Sequence, residues 1–253
     1  SLEGAILLGA FGAAFGVYMT GSPLAGLGIG MVCGGLSGLA LAIIGVSLQV
    51  NQILAGFSIN LLALGLTSFL SRVAMSSHDP SAPLAGFGDI HVPLLSDIPF
   101  LGPVLFQNDI LIYGMVVVTV FSLWLLYRTP VGLIVTATGE NPAAVDAAGI
   151  SVPLVRYICV IAGSALAGIG GCYLVLTQIF MFSENMSAGK GFIALAAVIL
   201  GRWNPVGVIC ACMCFALFDA WQLQLQFNNP EVPHQFFTML PFLISFMAMV
   251  GLM

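Results

Sequence analysis

Asp109-Ile-Leu-Ile-Tyr-Gly-Met-Val-Val-Val-Thr-Val-Phe-Ser-Leu-Trp-Leu-Leu-Tyr-Arg128 is a continuous apolar run held between two charges. A helix rises about 1.5 Å per residue, so roughly 20 such residues cross a hydrocarbon core about 30 Å thick. Comparable runs cover about 4–20, 24–48, 53–71, 153–177, 205–225 and 236–253. An eighth, 191–201, is too short to span unless Lys190 and Arg202 snorkel to the interfaces, or unless the helix is tilted or broken. Short or broken helices in transporters often lie beside the substrate. The expected fold class is therefore all-α: a polytopic transmembrane helical bundle of about eight segments, forming one domain over residues 1–253.

Composition leads the same way. Hydrophobic residues are 60% of the chain and charged residues 6%, against about 25% charged in a soluble domain. Mean hydropathy is +1.11. The 30 glycines fit helices that approach closely in lipid. Membrane barrels alternate apolar and polar residues, and these runs do not. A net charge of −5 argues against nucleic acid as a partner. The chain starts at Ser1 and stops at Met253 inside an apolar run, so basic termini are expected to lie outside it. The six cysteines all sit in apolar segments. Cys210 and Cys214 share a helical face while Cys212 points elsewhere, which reads as small apolar filler rather than a metal site.

Two polar connections stand out. Residues 72–108 carry His78, Asp79, Asp89, His91 and Asp97 among prolines at 80, 83, 93, 99 and 103. Proline this dense forbids a continuous helix, so an irregular loop with at most a short turn is expected. Its acidic and His residues lack a sharp metal-binding spacing. The second connection, 128–152, contains Arg128-Thr-Pro-Val-Gly-Leu-Ile-Val-Thr-Ala-Thr-Gly-Glu-Asn-Pro-Ala-Ala-Val-Asp-Ala-Ala-Gly-Ile150. Asn141 is a good N-cap and Pro142 suits the first helical position. Ala143 to Ala148 favours helix, and Gly149 is a natural stop. Glu140, and less directly Asp146, place negative charge near the positive end of the helix. A two-turn helix is unstable in water alone. Its alanine-rich surface suits a groove on a partner protein or, equally, the membrane surface.

This segment resembles the coupling helix of ATP-binding-cassette importer permeases of the ribose and branched-chain amino-acid type. The resemblance extends over nearly the whole chain. Leu2-Glu3-Gly4 with Leu8-Gly9-Ala10 is similar to an early motif of these permeases, and Asn51-Gln-Ile-Leu-Ala-Gly56 with Asn60-Leu-Leu-Ala-Leu-Gly-Leu-Thr67 to the next. Gly189-Lys-Gly-Phe-Ile-Ala-Leu-Ala196 with Gly201-Arg-Trp-Asn-Pro205 is similar to a late one. The latter run and Leu94 to Phe106 resemble most the branch that imports nucleosides.

The resemblance implies a multi-pass protein of the bacterial cytoplasmic (inner) membrane, in contact with membrane lipid. Its implied partners are a second permease subunit, the same or paralogous, ABC ATPase subunits inside, and an extracytoplasmic substrate-binding protein outside. Gly139, Glu140, Asn141, Pro142, Ala143, Ala144, Asp146 and Gly149 would couple ATPase closure to the helices. Loop 128–152 would then be cytoplasmic and 72–108 extracytoplasmic, with Arg128, Arg156 and Arg202 inside and Arg72 and Lys190 outside. The chain has no Gly-x-x-x-x-Gly-Lys-Ser/Thr sequence. It is thus expected to hydrolyse nothing and to bind no cofactor or metal, with ATP and Mg held by the partner ATPase. The family pattern also implies an N-terminal membrane segment and a basic C-terminal tail beyond this sequence.

Polar groups in hydrocarbon usually face a cavity or another helix. The available set is Glu3, Gln49, Asn51, Gln52, Asn60, Thr177, Gln178, Asn185, Asp219 and Gln222. From it Glu3, Asn51, Gln52, Asn60, Gln178, Asn185 and Asp219 are the candidate pathway residues, since amides and carboxylates can bond a base edge or a ribose. Gln52 and Asn60 are expected to be the better-aligned pair. The competing role for each is an interhelical hydrogen bond. A simple sugar or riboflavin are alternative cargoes. More remote are an ion-coupled carrier, which would not need Gly139 to Gly149, and an intramembrane aspartyl protease. The last would rest on Gly86-Phe-Gly-Asp89 and Asp219 as a carboxylate dyad.

Overall fold

The structure is a computed structural model and describes residues 2–74, 83–91 and 107–228, together with Met239 and Phe246. Among these residues, six helices are long and apolar enough to cross a membrane. They are α1 (Leu2–Thr20), α2 (Pro23–Ala42), α3 (Gln52–Ala74), α4 (Ile110–Arg128), α7 (Val152–Tyr173) and α9 (Pro205–Asn228). The shorter helices are α5 (Pro130–Glu140), α6 (Pro142–Ala147) and α8 (Lys190–Leu200). Of the eight expected segments, six are spans and 191–201 is the 11-residue α8. The last, 236–253, lies outside the described residues except at Met239 and Phe246. Two helices run on as π turns, α2 through Ile43–Ser47 and α7 through Leu174–Ile179.

The chain divides into two compact units, Glu3–Ser187 and Ala188–Met253. In the first, α1 is the most enclosed span, with 61% of its central window buried, whereas α4 has none. The hydrophobic effect does not drive helices together in lipid; close van der Waals packing does. Glycines make that packing possible here. Gly26, Gly30, Gly34 and Gly38 recur every fourth residue along α2, and all four are buried. A Cβ on Gly26 would stand 2.8 Å from the carbonyl oxygen of Ala13 in α1. One on Gly34 would stand 2.7 Å from the main chain of Gly168 in α7, and one on Gly38 would stand 2.5 Å from the side chain of Ser164. One face of α2 thus meets α1 at its start and α7 further along. Ser47, at the end of the α2 π turn, shares a hydrogen bond with Tyr157 near the start of α7. Around this crossing Leu7, Val175, Leu176 and Cys172 are fully buried. Phe11 stacks on Phe15 at 6.1 Å and meets Phe182 edge-on at 5.6 Å.

The proline-rich connection differs from the irregular loop expected of it. Asp89–His91 (β1) and Gln107–Asp109 (β2) form an antiparallel pair in which Asp89 faces Asp109 and His91 faces Gln107. Proline excludes helix but tolerates extended backbone; β1 falls between Pro83 and Pro93, and β2 follows Pro103, the last proline of the connection. Residues 83–88 precede β1 without regular structure. Leu94 to Phe106, with His78, Asp79 and Asp97, lie outside the described residues.

The second unit is built on α8 and α9, joined by a tight turn. Gly201 is needed for closeness, since a Cβ there would collide with the main chain of Gly207 and Val208. Arg202 and Trp203 both take positive φ, 52° and 60°, a conformation costing about 1–2 kcal/mol per non-glycine residue. Asn204 then starts α9: its Oδ1 accepts from Val206 N at 3.1 Å, and Pro205 takes the first helical position. The Gly-Arg-Trp-Asn-Pro run is therefore a close-approach, turn and cap sequence. Ala197, Ala211 and Phe215 form the buried cluster between the two helices.

Candidate functional site: a double-capped loop and scattered intramembrane polar groups

The connection 128–152 is more ordered than expected, because α5 precedes the short helix. Thr129 organises its start. Its hydroxyl donates to Leu125 O at 2.6 Å and accepts from Gly132 N at 3.4 Å, and Pro130 follows. A Cβ on Gly132 would stand 2.5 Å from the carbonyl oxygen of Leu125. Only glycine lets α5 fold back against the end of α4. The Thr-Pro pair was the available signal for this helix.

Asn141 joins α5 to α6. Its main-chain N–H donates to Ala137 O at 2.8 Å and closes α5, while its Oδ1 accepts from Ala144 N at 3.2 Å and opens α6. Pro142 occupies the first turn. At the other end Gly149 has φ of 81°. Gly149 N donates to Asp146 O at 2.9 Å and Ile150 N to Val145 O at 3.2 Å. These two bonds form a Schellman stop. Of the six residues of α6 only Val145 is buried. Ala143, Ala144 and Asp146 are exposed, as are Gly139 and Glu140 before them. The helix is pinned by one valine and capped at both ends, with a low-relief surface left outward.

The candidate pathway residues do not converge on one site. Asn60 Oδ1 accepts the main-chain N–H of Gly4 at 2.9 Å, so Asn60 satisfies a donor in the first turn of α1. Next to it, Ser187 Oγ donates to Glu3 Oε1 at 2.6 Å, and Ser187 is fully buried. Asn51 caps α3, accepting from Ile53 N at 2.9 Å. Gln52 is exposed at the first position of α3. Eight residues on a helix amount to about 80° of offset, so the expected alignment of Gln52 with Asn60 does not hold. Gln178 is exposed in the α7 π turn, and Asn185 is exposed with φ of 57°. In the second unit Asp219 lies 3.9 Å from Lys190, each side chain about half exposed. A cavity of about 220 Å³ adjoins this pair, lined also by Ile193, Cys212 and Phe215. Asp89 stands in β1, off any membrane helix, so the aspartyl-protease geometry is not built. Among the described residues no group of three or more His, Cys, Asp or Glu could hold a metal ion.

The segment after α7 is tied to the last turns of α3. Arg72 donates to Glu184 through Nε at 2.9 Å and through a terminal nitrogen at 3.3 Å. The guanidinium hydrogen bond holds the Glu184 carboxyl below its ordinary range.

Six apolar spans joined by short connections, one of them carrying a helix capped at both ends, define a multi-pass membrane protein. The family model described as branched-chain amino acid transport system / permease component matches residues 1–249, and the chain belongs to that family. It is 30% identical over 259 residues to the guanosine ABC transporter permease protein NupQ of Bacillus subtilis, which covers 99% of this chain and 81% of that protein. It is 31% identical over 258 residues to the nucleoside ABC transporter permease protein NupC of Lactococcus lactis, covering 98% and 81%. It is also 31% identical over 229 residues to the putative glucose ABC transporter permease protein TsgC13 of Haloferax volcanii, covering 89% and 68%. No solved structure matches.

Proposed function

We propose that the chain is one permease subunit of an ATP-driven importer that carries nucleosides across the bacterial cytoplasmic membrane. The observation that carries this reading is near-full-length similarity to two permeases named for guanosine and for nucleosides. In it the chain catalyses nothing. A second permease subunit, the same or paralogous, completes the pathway. ABC ATPase subunits hold ATP and Mg on the inner face, and an extracytoplasmic binding protein delivers cargo.

Residues Gly139 to Gly149 receive the ATPase. The double capping supports this role: α6 cannot yield by fraying, so a push on its exposed alanines moves it as a body. Asn141 joins it to α5 and four residues join it to α7, a 28-residue rod including its π turn. Displacement of α6 therefore reaches the far side of the membrane through α7. A simple sugar is the second reading, favoured by the similarity to the glucose permease protein.

The test is uptake of labelled guanosine by proteoliposomes holding this chain, its partner permease, ATPase and binding protein. ATP-dependent uptake competed by uridine, and not by glucose, ribose or riboflavin, is expected. ATP-dependent uptake of glucose instead would keep the importer and replace its cargo. Uptake that ignores ATP would remove the coupling role of α6.

A further inference from the structure

Lys190 and Asp219 form an ion pair whose depth is set by the helices that carry it. Lys190 is the first residue of the 11-residue α8, and Asp219 lies well inside the 24-residue α9. Between the two helices stands the turn Gly201–Asn204, where Arg202 and Trp203 are both exposed. These are residue types that sit at a membrane surface. At about 1.5 Å per residue, Lys190 lies roughly 15 Å from the start of that turn and Asp219 roughly 21 Å from its end. A hydrocarbon core is about 30 Å thick. With α9 crossing the membrane and α8 reaching only halfway, the pair stands near mid-depth, not at the outer surface expected of Lys190.

Charged side chains at that depth are costly, and those that occur face a bundle interior or a water-filled cavity. Packing does not hide this pair: the Lys190 side chain is 45% exposed and that of Asp219 is 51% exposed. Helix stability does not explain it either, because a cation in the first turn opposes the helix dipole. The two groups do not saturate each other. They stand 3.9 Å apart, beyond the roughly 2.7–3.2 Å of a hydrogen bond, so the carboxylate keeps acceptors and the ammonium keeps donors. Both line the cavity of about 220 Å³, with Ile193, Ala197, Cys212 and Phe215. Lipid tails cannot satisfy these groups; water and a polar solute can.

We propose that this face of α8 and α9 lines the water-filled cargo pathway, and that Lys190 and Asp219 are its mid-membrane station for an uncharged solute bearing hydroxyls. The two charges cancel, so the station draws no ion of either sign. The carboxylate accepts from neighbouring sugar hydroxyls, and the ammonium donates to hydroxyl or ring oxygens. The assignment rests on the importer reading above, and the sugar of a nucleoside or a free sugar meets the same two groups. The chain carries its own reporters of the face. At about 100° per residue, Cys212 lies roughly 20° around α9 from Asp219, whereas Cys210 and Cys214 lie roughly 180° and 140° away. All three thiols are on exposed residues.

The experiment uses the whole transporter in proteoliposomes, with variants of this chain that keep only Cys210, only Cys212 or only Cys214. A membrane-impermeant methanethiosulfonate is supplied on both sides, with and without ATP, and modification of this chain is read by mass. The reactive form of a thiol is the thiolate, which forms in water and not in lipid, so Cys212 is expected to react at least about tenfold faster than Cys210 or Cys214. Guanosine or glucose, whichever the wild type imports, is expected to slow that reaction. Equal rates at the three positions, or a Cys212 that stays unmodified with and without ATP, overturn the pathway face and give it to lipid or to a facing subunit. Asp219→Asn and Lys190→Gln are expected to raise KM for uptake roughly three- to tenfold, the effect of one lost hydrogen bond, with melting curves unchanged. Unchanged KM in both variants, or Cys212 left unprotected by the imported solute, overturns the station. Where a variant fails to fold, protection of Cys212 in the otherwise native chain decides. Uptake that ignores ATP removes the importer reading, and Cys212 modification, which needs no transport, is read separately from it.

Discussion

The side-chain oxygen of Asn60 accepts the main-chain N–H of Gly4 at 2.9 Å, joining α3 to the first turn of α1. Gly4 is buried, and leaving a buried donor unsatisfied costs about 1–3 kcal/mol. Asn60→Leu is therefore expected to lower the melting temperature of the purified complex and its yield, while KM for uptake stays within twofold. A changed KM at unaltered stability would make Asn60 a cargo contact instead.

The coupling loop gives a second prediction. Asn141→Ala removes an N-cap, at about 1 kcal/mol, from a helix of six residues. Replacing Glu140-Asn-Pro142 with glycines removes the cap and the pre-set first turn together. Both changes are expected to lower the number of nucleosides carried per ATP hydrolysed, the triple change far more, without shifting the melting of the membrane part. Measuring uptake and phosphate release on the same vesicles checks this. Undiminished transport by the triple variant would remove the loop from coupling.

The Arg72–Glu184 tie carries a pH dependence of definite sign. Glu184 has its carboxyl lowered in the folded protein by the Arg72 hydrogen bond. Its contribution is thus present above the ordinary carboxylate range and is lost as pH falls through the lowered value. Hydrogen exchange of residues 180–189 should quicken below about pH 4. Glu184→Gln should exchange quickly at neutral pH as well and lose the pH dependence. Both groups are solvent-exposed, so high salt should mimic part of the acid effect.

Tight glycine contacts supply a fourth test. Gly34 and Gly168 meet main chain to main chain, a Cβ on Gly168 standing 3.0 Å from Gly34 Cα. Gly168→Val is expected to cost about 1–3 kcal/mol by overpacking, read as a lower melting temperature. Gly163→Val, on the same helix with open space around it, should cost much less.

Most of the fold is legible in the sequence because the signals are local. Apolar run lengths mark the six spans, the shortness of 191–201 matches α8, and Asn141, Pro142 and Gly149 mark both ends of α6. What was not legible depends on partners distant in the chain. The π turns at Ile43–Ser47 and Leu174–Ile179 have no composition of their own. The β pair is set by contact across fifteen intervening residues rather than by its own weak strand pattern. Polar residues in the spans could be singled out but not sorted. Asn60 and Asn51 satisfy helix starts, and Asp219 stands apart only when Lys190 is found beside it. The glycines at 26, 30, 34 and 38 were readable as a four-residue repeat. Which neighbours they touch was not.

That repeat has a mechanical consequence. Helices that interlock through bulky side chains must disengage before one can move along another. Along its glycine face α2 meets only short side chains of α1 and α7, Val17, Cys172 and Ser164, so axial slippage needs no long side chain to disengage. A transporter that alternates between two openings benefits from such a low-friction track. The closeness that holds these helices together is then also what lets them shear without coming apart.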